Sequence, residues 1–195
     1  MALDILPHPT AVSVRLASVE PRYVPLFCFV LLTAACVLAS FAFACATPFA
    51  AFAVVAAAML PLRPALLVVT AAWLINQAIG FGFLRYPINT NTILWGFAIG
   101  AAALVATMAS MLMLRSLRRT GSPVALGFAF MGAYAAYELV LFAATPFLGG
   151  AGAFTLAIVG RLGVLSLLWL IGLVAACEVF RLLNPLRRRQ IQMVS

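Results

Sequence analysis

The chain has 195 residues, of which 66% are apolar and 8% are charged, and its formal net charge is +8. A soluble domain averages about half apolar and about a quarter charged residues, so this composition excludes an ordinary soluble protein and indicates an integral membrane protein. All twelve cations are arginine. Most of them flank apolar segments, which is typical of a membrane-topology signal rather than of a nucleic-acid-binding surface.

Six apolar segments predict an all-α membrane protein, with six transmembrane helices in one bundle over residues 24–183. In chain order the segments are residues 24–46, 47–62, 64–84, 93–114, 124–145 and 153–183. A span takes about 20 residues. The second segment, with Pro48 near its start and Pro61 near its end, is therefore marginal and is expected to be tilted, kinked or partly re-entrant. Residues 1–23 and 184–195 are predicted as cytoplasmic tails, the second of them basic.

The distribution of arginine predicts the side on which the termini lie. Ten arginines lie in the two tails and in the loops after spans two and four: Arg15, Arg22, Arg63, Arg115, Arg118, Arg119, Arg181, Arg187, Arg188 and Arg189. The loops on the other side carry only Arg85. Positive residues are enriched in cytoplasmic loops, so we expect a multi-pass protein of the cell inner membrane with both termini inside.

Two charged residues lie deep in the apolar segments, Glu138 in the fifth and Arg161 in the sixth. A charge at the centre of a membrane helix costs about 2.5–3.5 kcal/mol on insertion scales, and such groups are usually paired and functional. Counted from the predicted outer helix ends, Glu138, Arg161 and Gln77 lie at one depth, and Asn76 lies one residue deeper. We expect Glu138 and Arg161 to pair or to share a hydrogen-bond network, either in a ligand site or as a structural ion pair.

Polar and aromatic side chains near the outer helix ends are candidate ligand contacts. Tyr134, Tyr137 and Glu138 follow one helical stripe, and the adjacent amides Asn76 and Gln77 are predicted to line a pocket that opens outward.

The outer loop at residues 85–92, RYPINTNT, adds four further candidate ligand residues: Tyr86, Pro87, Asn89 and Asn91. Loops carry function more often than the frameworks that hold them. The alternative is that this loop is a plain connecting turn.

The sequence contains no hydrolase, zinc-protease or nucleotide-binding signature, so we expect no enzyme. Its one histidine, His8, lies in the N-terminal tail, which argues against a metal transporter. Without a nucleotide site, transport needs a partner, a gradient or a facilitative mode. The four cysteines lack metal or disulfide spacing and are interpreted as small buried hydrophobic residues.

The stretch WLINQAIGFGFLRYPINTNTILWG, residues 73–96, carries NQAIGF, then YP, then WG. It resembles the third helix, outer loop and fourth-helix start of BtuM-like proteins, which are cobalamin-binding S-components of energy-coupling factor (ECF) vitamin transporters. S-components have six helices with both termini inside and bind a vitamin near the outer face. The resemblance implies that Asn76, Gln77, Tyr86 and Pro87 lie at or beside a corrin site. It further implies that cobalamin or a related corrinoid is the transported ligand, and that an ECF coupling subunit with its ATPases is a partner.

Some BtuM-like proteins use a cysteine in the third-helix region to ligate cobalt and remove cyanide. This chain has no cysteine there, and Cys45, near the outer end of the first span, is the cysteine at a plausible height for a cobalt ligand. Three alternatives stay open. They are an S-component for another vitamin, a structural or regulatory membrane subunit that does not transport, and an intramembrane enzyme that uses Cys45 or Glu138.

Overall fold

A computed structural model describes residues 21–43, 47–117 and 122–183. These ranges are almost entirely helical and contain no strand, in agreement with the predicted all-α class. The helices are α1 (Val24–Phe43), α2 (Phe49–Met59), α3 (Leu62–Gly82), α4 (Thr90–Ser116), α5 (Ser122–Leu148) and α6 (Leu156–Leu183). Short 3-10 turns, Pro21–Tyr23 and Ala151–Ala153, precede α1 and α6. Residues 1–20 and 184–195, which belong to the predicted tails, lie outside the described ranges.

Five helices, α1 and α3 to α6, are long and apolar enough to cross a membrane. The shortest of them has 20 residues, and at 1.5 Å per residue 20 residues match a hydrocarbon core of about 30 Å. Their outward faces carry large exposed apolar side chains, for example Leu67, Leu139 and Leu168. Surfaces of this kind fit contact with lipid, so the chain is a multi-pass membrane protein.

The second predicted span forms α2, which has only 11 residues. That length corresponds to about 16 Å, roughly half of the hydrocarbon core, so α2 is too short to cross a membrane by itself. Two prolines set its limits. The helix begins directly after Pro48, and it ends at Leu60, whose backbone is extended because it precedes Pro61.

Every residue of α2 is buried, as expected for a helix that is apolar on all sides. The other five helices surround it, and α2 contacts each of them. Around this ring α1 contacts α3, α3 contacts α4, and α4 contacts α5. The ring is closed between α1 and α6 by aromatic pairs, Phe27 with Phe180 and Phe43 with Trp169. Contact between α5 and α6 is sparse by comparison.

Small residues allow α4 and α5 to pack more extensively than any other pair. The buried faces of both helices are rich in small residues, for example Ala103 and Ala106 on α4 and Ala129 and Ala133 on α5. Where helices associate in lipid, small residues let the backbones approach closely. The pair forms a rigid wall beside α2.

Contacts along the helices give their directions. Cys36 and Ser40 of α1 contact Ala72 and Asn76 of α3 with the same offset of 36 residues, so α1 and α3 run parallel. The remaining neighbours in the ring are antiparallel. Both described chain ends therefore lie at one end of the bundle, which also holds Arg22, Arg63, Arg115 and Arg181 and is called here the arginine end. The opposite end, formed by residues 83–89 and 149–155, is called the loop end.

Candidate functional site

Asn76 of α3 forms hydrogen bonds both to α1 and to the segment that precedes α2. Its Nδ2 donates to Ser40 Oγ and to Thr47 Oγ1, each at 2.9 Å. Its Oδ1 accepts from Gln77 Nε2 at 3.2 Å. Both amide donors of Asn76 are thus used within the protein, and the side chain holds the start of α2 against its neighbours.

Gln77 and Trp73 fit against two glycines of α4. A Cβ atom on Gly96 would lie 2.5 Å from Gln77 Oε1, and one on Gly100 would lie 2.6 Å from Cε2 of the Trp73 ring. The indole Nε1 of Trp73 donates to the Gly96 carbonyl at 2.8 Å. A Cβ atom at Gly100 would displace the rigid indole of Trp73, whereas one at Gly96 would displace only the flexible end of Gln77.

On the other side of α2, the α5 stripe brings Tyr134, Tyr137 and Glu138 to the same region. The Tyr137 ring lies 6.5 Å from the ring of Phe49, the first residue of α2. The Tyr134 hydroxyl donates to the Val159 carbonyl of α6 at 2.6 Å and lies near the Glu138 carboxyl. All three side chains are half-buried.

Two of the predicted site residues contact the start of α2, Asn76 through Thr47 and Tyr137 through Phe49, and three more lie next to these two. The five are Asn76, Gln77, Tyr134, Tyr137 and Glu138, and they are called here the polar layer. Sequence reasoning missed Ser40 and Thr47, the two partners of Asn76. Ser40 lies in the first apolar segment, where polar residues are scarce, and that scarcity was the available signal.

The predicted pair of Glu138 and Arg161 is wrong. Val159 accepts the hydrogen bond of Tyr134, and Gly163 lies against the Tyr134 ring, so both of these α6 residues face α5. Arg161 stands two positions from each, about 200° around the helix, and its exposed side chain points away. Among the described residues the one ion pair is that of Glu178 with Arg181, at the arginine end.

Two groups of the polar layer keep free binding capacity within the described chain. No described basic side chain pairs with the Glu138 carboxyl, and no described residue forms a hydrogen bond with the Tyr137 hydroxyl. In the same ranges no side-chain polar atom is both sealed from solvent and unpaired. The Tyr137 hydroxyl is therefore not fully sealed, and among the described residues the Glu138 carboxyl has no cation and the Tyr137 hydroxyl has no hydrogen-bond partner.

The loop from residue 85 to residue 92 is well ordered by local contacts. Arg85 has a left-handed backbone with φ 55°, which turns the chain so that Tyr86 N donates to the Gly80 carbonyl at 3.0 Å. The Tyr86 ring covers Gly80, where a Cβ atom would meet it at 2.7 Å. Tyr86 therefore packs the loop onto α3, while Pro87 is exposed.

Asn89 caps α4. Its Oδ1 accepts from Thr92 N at 2.9 Å and from Thr92 Oγ1 at 3.0 Å. An asparagine immediately before an apolar helix is a sequence signal for an N-cap, and this local role accounts for Asn89. Asn91 is exposed on the first turn of α4.

Cys45, the candidate cobalt ligand, lies outside the described residues. Cys28, Cys36 and Cys177 are buried, and the Cys36 thiol donates to the Ala72 carbonyl at 3.2 Å. In the described ranges no group of three or more histidine, cysteine or acidic residues forms a metal site.

An apolar groove of about 340 Å³ lies between α3 and α4 and contains none of the predicted ligand residues. It is lined by Val69, Thr70, Trp73, Phe97, Gly100, Ala101 and Leu104.

Comparisons with protein-family models, with curated proteins and with solved structures find no match to this chain.

Proposed function

We propose that this protein is an uptake protein of the S-component type in the cell inner membrane, which binds a small organic solute from the loop end and passes it inward. Cobalamin or a related corrinoid is the ligand that the sequence resemblance favours. The protein acts here as a binder and carrier, not as an enzyme.

The length and burial of α2 carry this proposal. α2 stops short of the loop end, Asn76 and Tyr137 contact the chain at its start, and their neighbours Gln77 and Glu138 are likewise partly exposed. Ligand sites in membrane transport proteins often lie where a helix is short or interrupted and polar groups line the remaining space. A protein that only needed to fill a membrane would gain nothing from a half-exposed carboxylate at this depth.

The charge distribution supports uptake from the loop end. Four described arginines lie at the arginine end and one, Arg85, lies in a loop at the other. The positive-inside rule assigns the arginine end to the cytoplasm. Under that orientation the polar layer lies nearer to the outer surface, as capture of an external solute requires.

Energy for transport has to come from outside this chain or from a gradient, because the sequence contains no nucleotide-binding motif. An ECF coupling subunit with its ATPases is the proposed partner. A ligand gradient alone would be sufficient for facilitated entry.

Titration of the detergent-purified chain with cyanocobalamin and cobinamide tests this function. We expect saturable heat of binding for at least one corrinoid. The substitution Tyr137→Leu is expected to weaken that binding, and Ser116→Ala, exposed at the arginine end, is expected to leave it unchanged. A shift of the corrin absorption spectrum would indicate a protein ligand on cobalt, for which Cys45→Ala is the next variant.

A structural or regulatory membrane subunit is the second candidate. One observation favours it, since both amide donors of Asn76 are engaged within the protein. A monodisperse, folded sample that binds neither corrinoid would remove cobalamin and place this second candidate or another vitamin first.

A further inference from the structure

We infer that the ligand presents a positively charged group, such as an ammonium or another organic cation, to the carboxylate of Glu138. This inference rests on the proposed binding function and names the chemical class of the solute. Its basis is the charge balance around the polar layer, not the resemblance to vitamin transporters.

Glu138 is the only acidic residue in the membrane-spanning part of the described chain that lacks an ion pair, since Glu178 pairs with Arg181. An ionised carboxylate at this depth is costly unless a cation or strong donors compensate it. Its described neighbours are Tyr137 and the Tyr134 hydroxyl, which lies within hydrogen-bonding reach of the carboxyl and donates to the Val159 carbonyl. The described part of the chain thus gives the Glu138 carboxyl hydrogen-bonding neighbours but no fixed counter-charge.

The described arginines are not placed to supply that charge. Arg161 points away from α5, and Arg85 lies in the exposed loop before α4. The arginine end lies about 24 Å from Glu138 along α5. An anionic ligand would therefore meet a carboxylate with no nearby cation, whereas a cationic ligand would complete the missing pair.

The tyrosines beside Glu138 suit the same class of ligand. The Tyr137 hydroxyl has no described hydrogen-bond partner, and Tyr134 and Tyr137 precede Glu138 on one helical stripe. Aromatic faces attract cations within about 6 Å of the ring centroid, more strongly where water is excluded. The Tyr134 ring stacks on Phe130 with ring centroids 5.9 Å apart, so the Tyr137 ring is the one that could contact the cation beside Glu138.

Two pairs of probes, each differing in charge, test the inference. The first pair is aquacobalamin, which carries one positive charge, and neutral cyanocobalamin. The second pair is choline and its uncharged isostere, in which carbon replaces nitrogen. In each pair we expect the cation to bind the wild-type chain about tenfold more tightly than the neutral probe. That difference in affinity lies between those measured for exposed and for buried charge pairs.

Glu138→Gln removes the charge and keeps the side-chain size, and Glu178→Gln is the matched control at the arginine end. We expect Glu138→Gln to reduce the preference for the cation to within about twofold and Glu178→Gln to keep it. Equal binding of cation and neutral probe by the wild-type chain in both pairs would overturn the inference. The same conclusion would follow from a preference that survives Glu138→Gln. If Glu138→Gln does not fold, the preference of the wild-type chain for the cationic over the neutral probes decides whether the inference holds.

These measurements separate this inference from the corrinoid proposal. Equal binding of both cobalamins, without a preference for choline over its uncharged isostere, would support corrinoid uptake and reject the cationic class. A choline preference that depends on Glu138, without binding of either cobalamin, would reject corrinoids and support the cationic class.

Discussion

Asn76 connects three parts of the chain through one side chain. In lipid an amide that finds no partner is costly, because no water is available to replace the missing hydrogen bonds. Ser40 and Thr47 accept both of its donors, and Gln77 donates to its oxygen. The bonds that satisfy the amide therefore also hold α1, α3 and the start of α2 in one arrangement.

We expect Asn76→Leu to destabilise the protein by about 1–2 kcal/mol, since hydrogen bonds between membrane helices average about 0.6 kcal/mol each. Unfolding of the purified protein in denaturing detergent measures the change. Asn91→Leu, at an exposed position, is the control and is expected to have little effect. A double-mutant cycle with Ser40→Ala should show coupling, and strictly additive effects would contradict the bond between Asn76 and Ser40.

At the scale of elements, glycine determines how closely α3 and α4 pack. Gly96 and Gly100 leave room for Gln77 and Trp73, and the indole of Trp73 bonds to the Gly96 carbonyl. Both contacts depend on a missing Cβ atom. The positions of Gln77 and Trp73 on α3 thus depend on the two glycines of α4.

We expect Gly100→Ala to displace the Trp73 indole and to cost about 1–3 kcal/mol, as overpacking of a well-packed site does. Gly127→Ala on α5 is the matched control, because a Cβ atom there meets nothing within 4 Å, and alanine favours a helix over glycine by about 1 kcal/mol. Thermal unfolding and tryptophan fluorescence measure both variants. Equal stability of the two would contradict the close contact at Gly100.

At the scale of the molecule, a short apolar helix is enclosed by five long ones. This arrangement buries α2 completely and leaves the polar groups at its first turn without a helix above them. It also collects four described arginines at one end. Burial and charge distribution together define a direction across the membrane.

Cysteine labelling in whole cells tests that direction. In a background without other cysteines, we expect a membrane-impermeant maleimide to label Asn91→Cys in intact cells, because the proposed orientation places the loop end outside. Ser116→Cys, exposed at the arginine end, should react only after the membrane is disrupted. Labelling with the opposite pattern would reverse the proposed orientation.

Much of the fold followed from local sequence features. Long apolar runs predicted the helices α1 and α3 to α6 because lipid requires every backbone group to bond within its own segment. Pro48 and Pro61 already marked the second segment as marginal for a full membrane span. The stripe of Tyr134, Tyr137 and Glu138 followed from helical period alone.

Contacts between helices were less predictable. Counting residues from helix ends placed Glu138 and Arg161 at one depth, but it did not give the rotation of α6. With Val159 and Gly163 facing α5, Arg161 has to face the opposite way. The amide of Asn76 was expected to face a ligand, and Ser40 and Thr47 engage its donors instead.

The sequence by itself determined that this is a helical membrane protein, where its helices lie and which end is rich in arginine, because composition, period and proline act along the chain. Only the tertiary structure decided that α2 lies at the centre, that Asn76 is held internally and that none of the described arginines lies beside Glu138. These outcomes depend on helix rotation and on packing partners that lie far apart in sequence, and the physical reason is that no local rule specifies either.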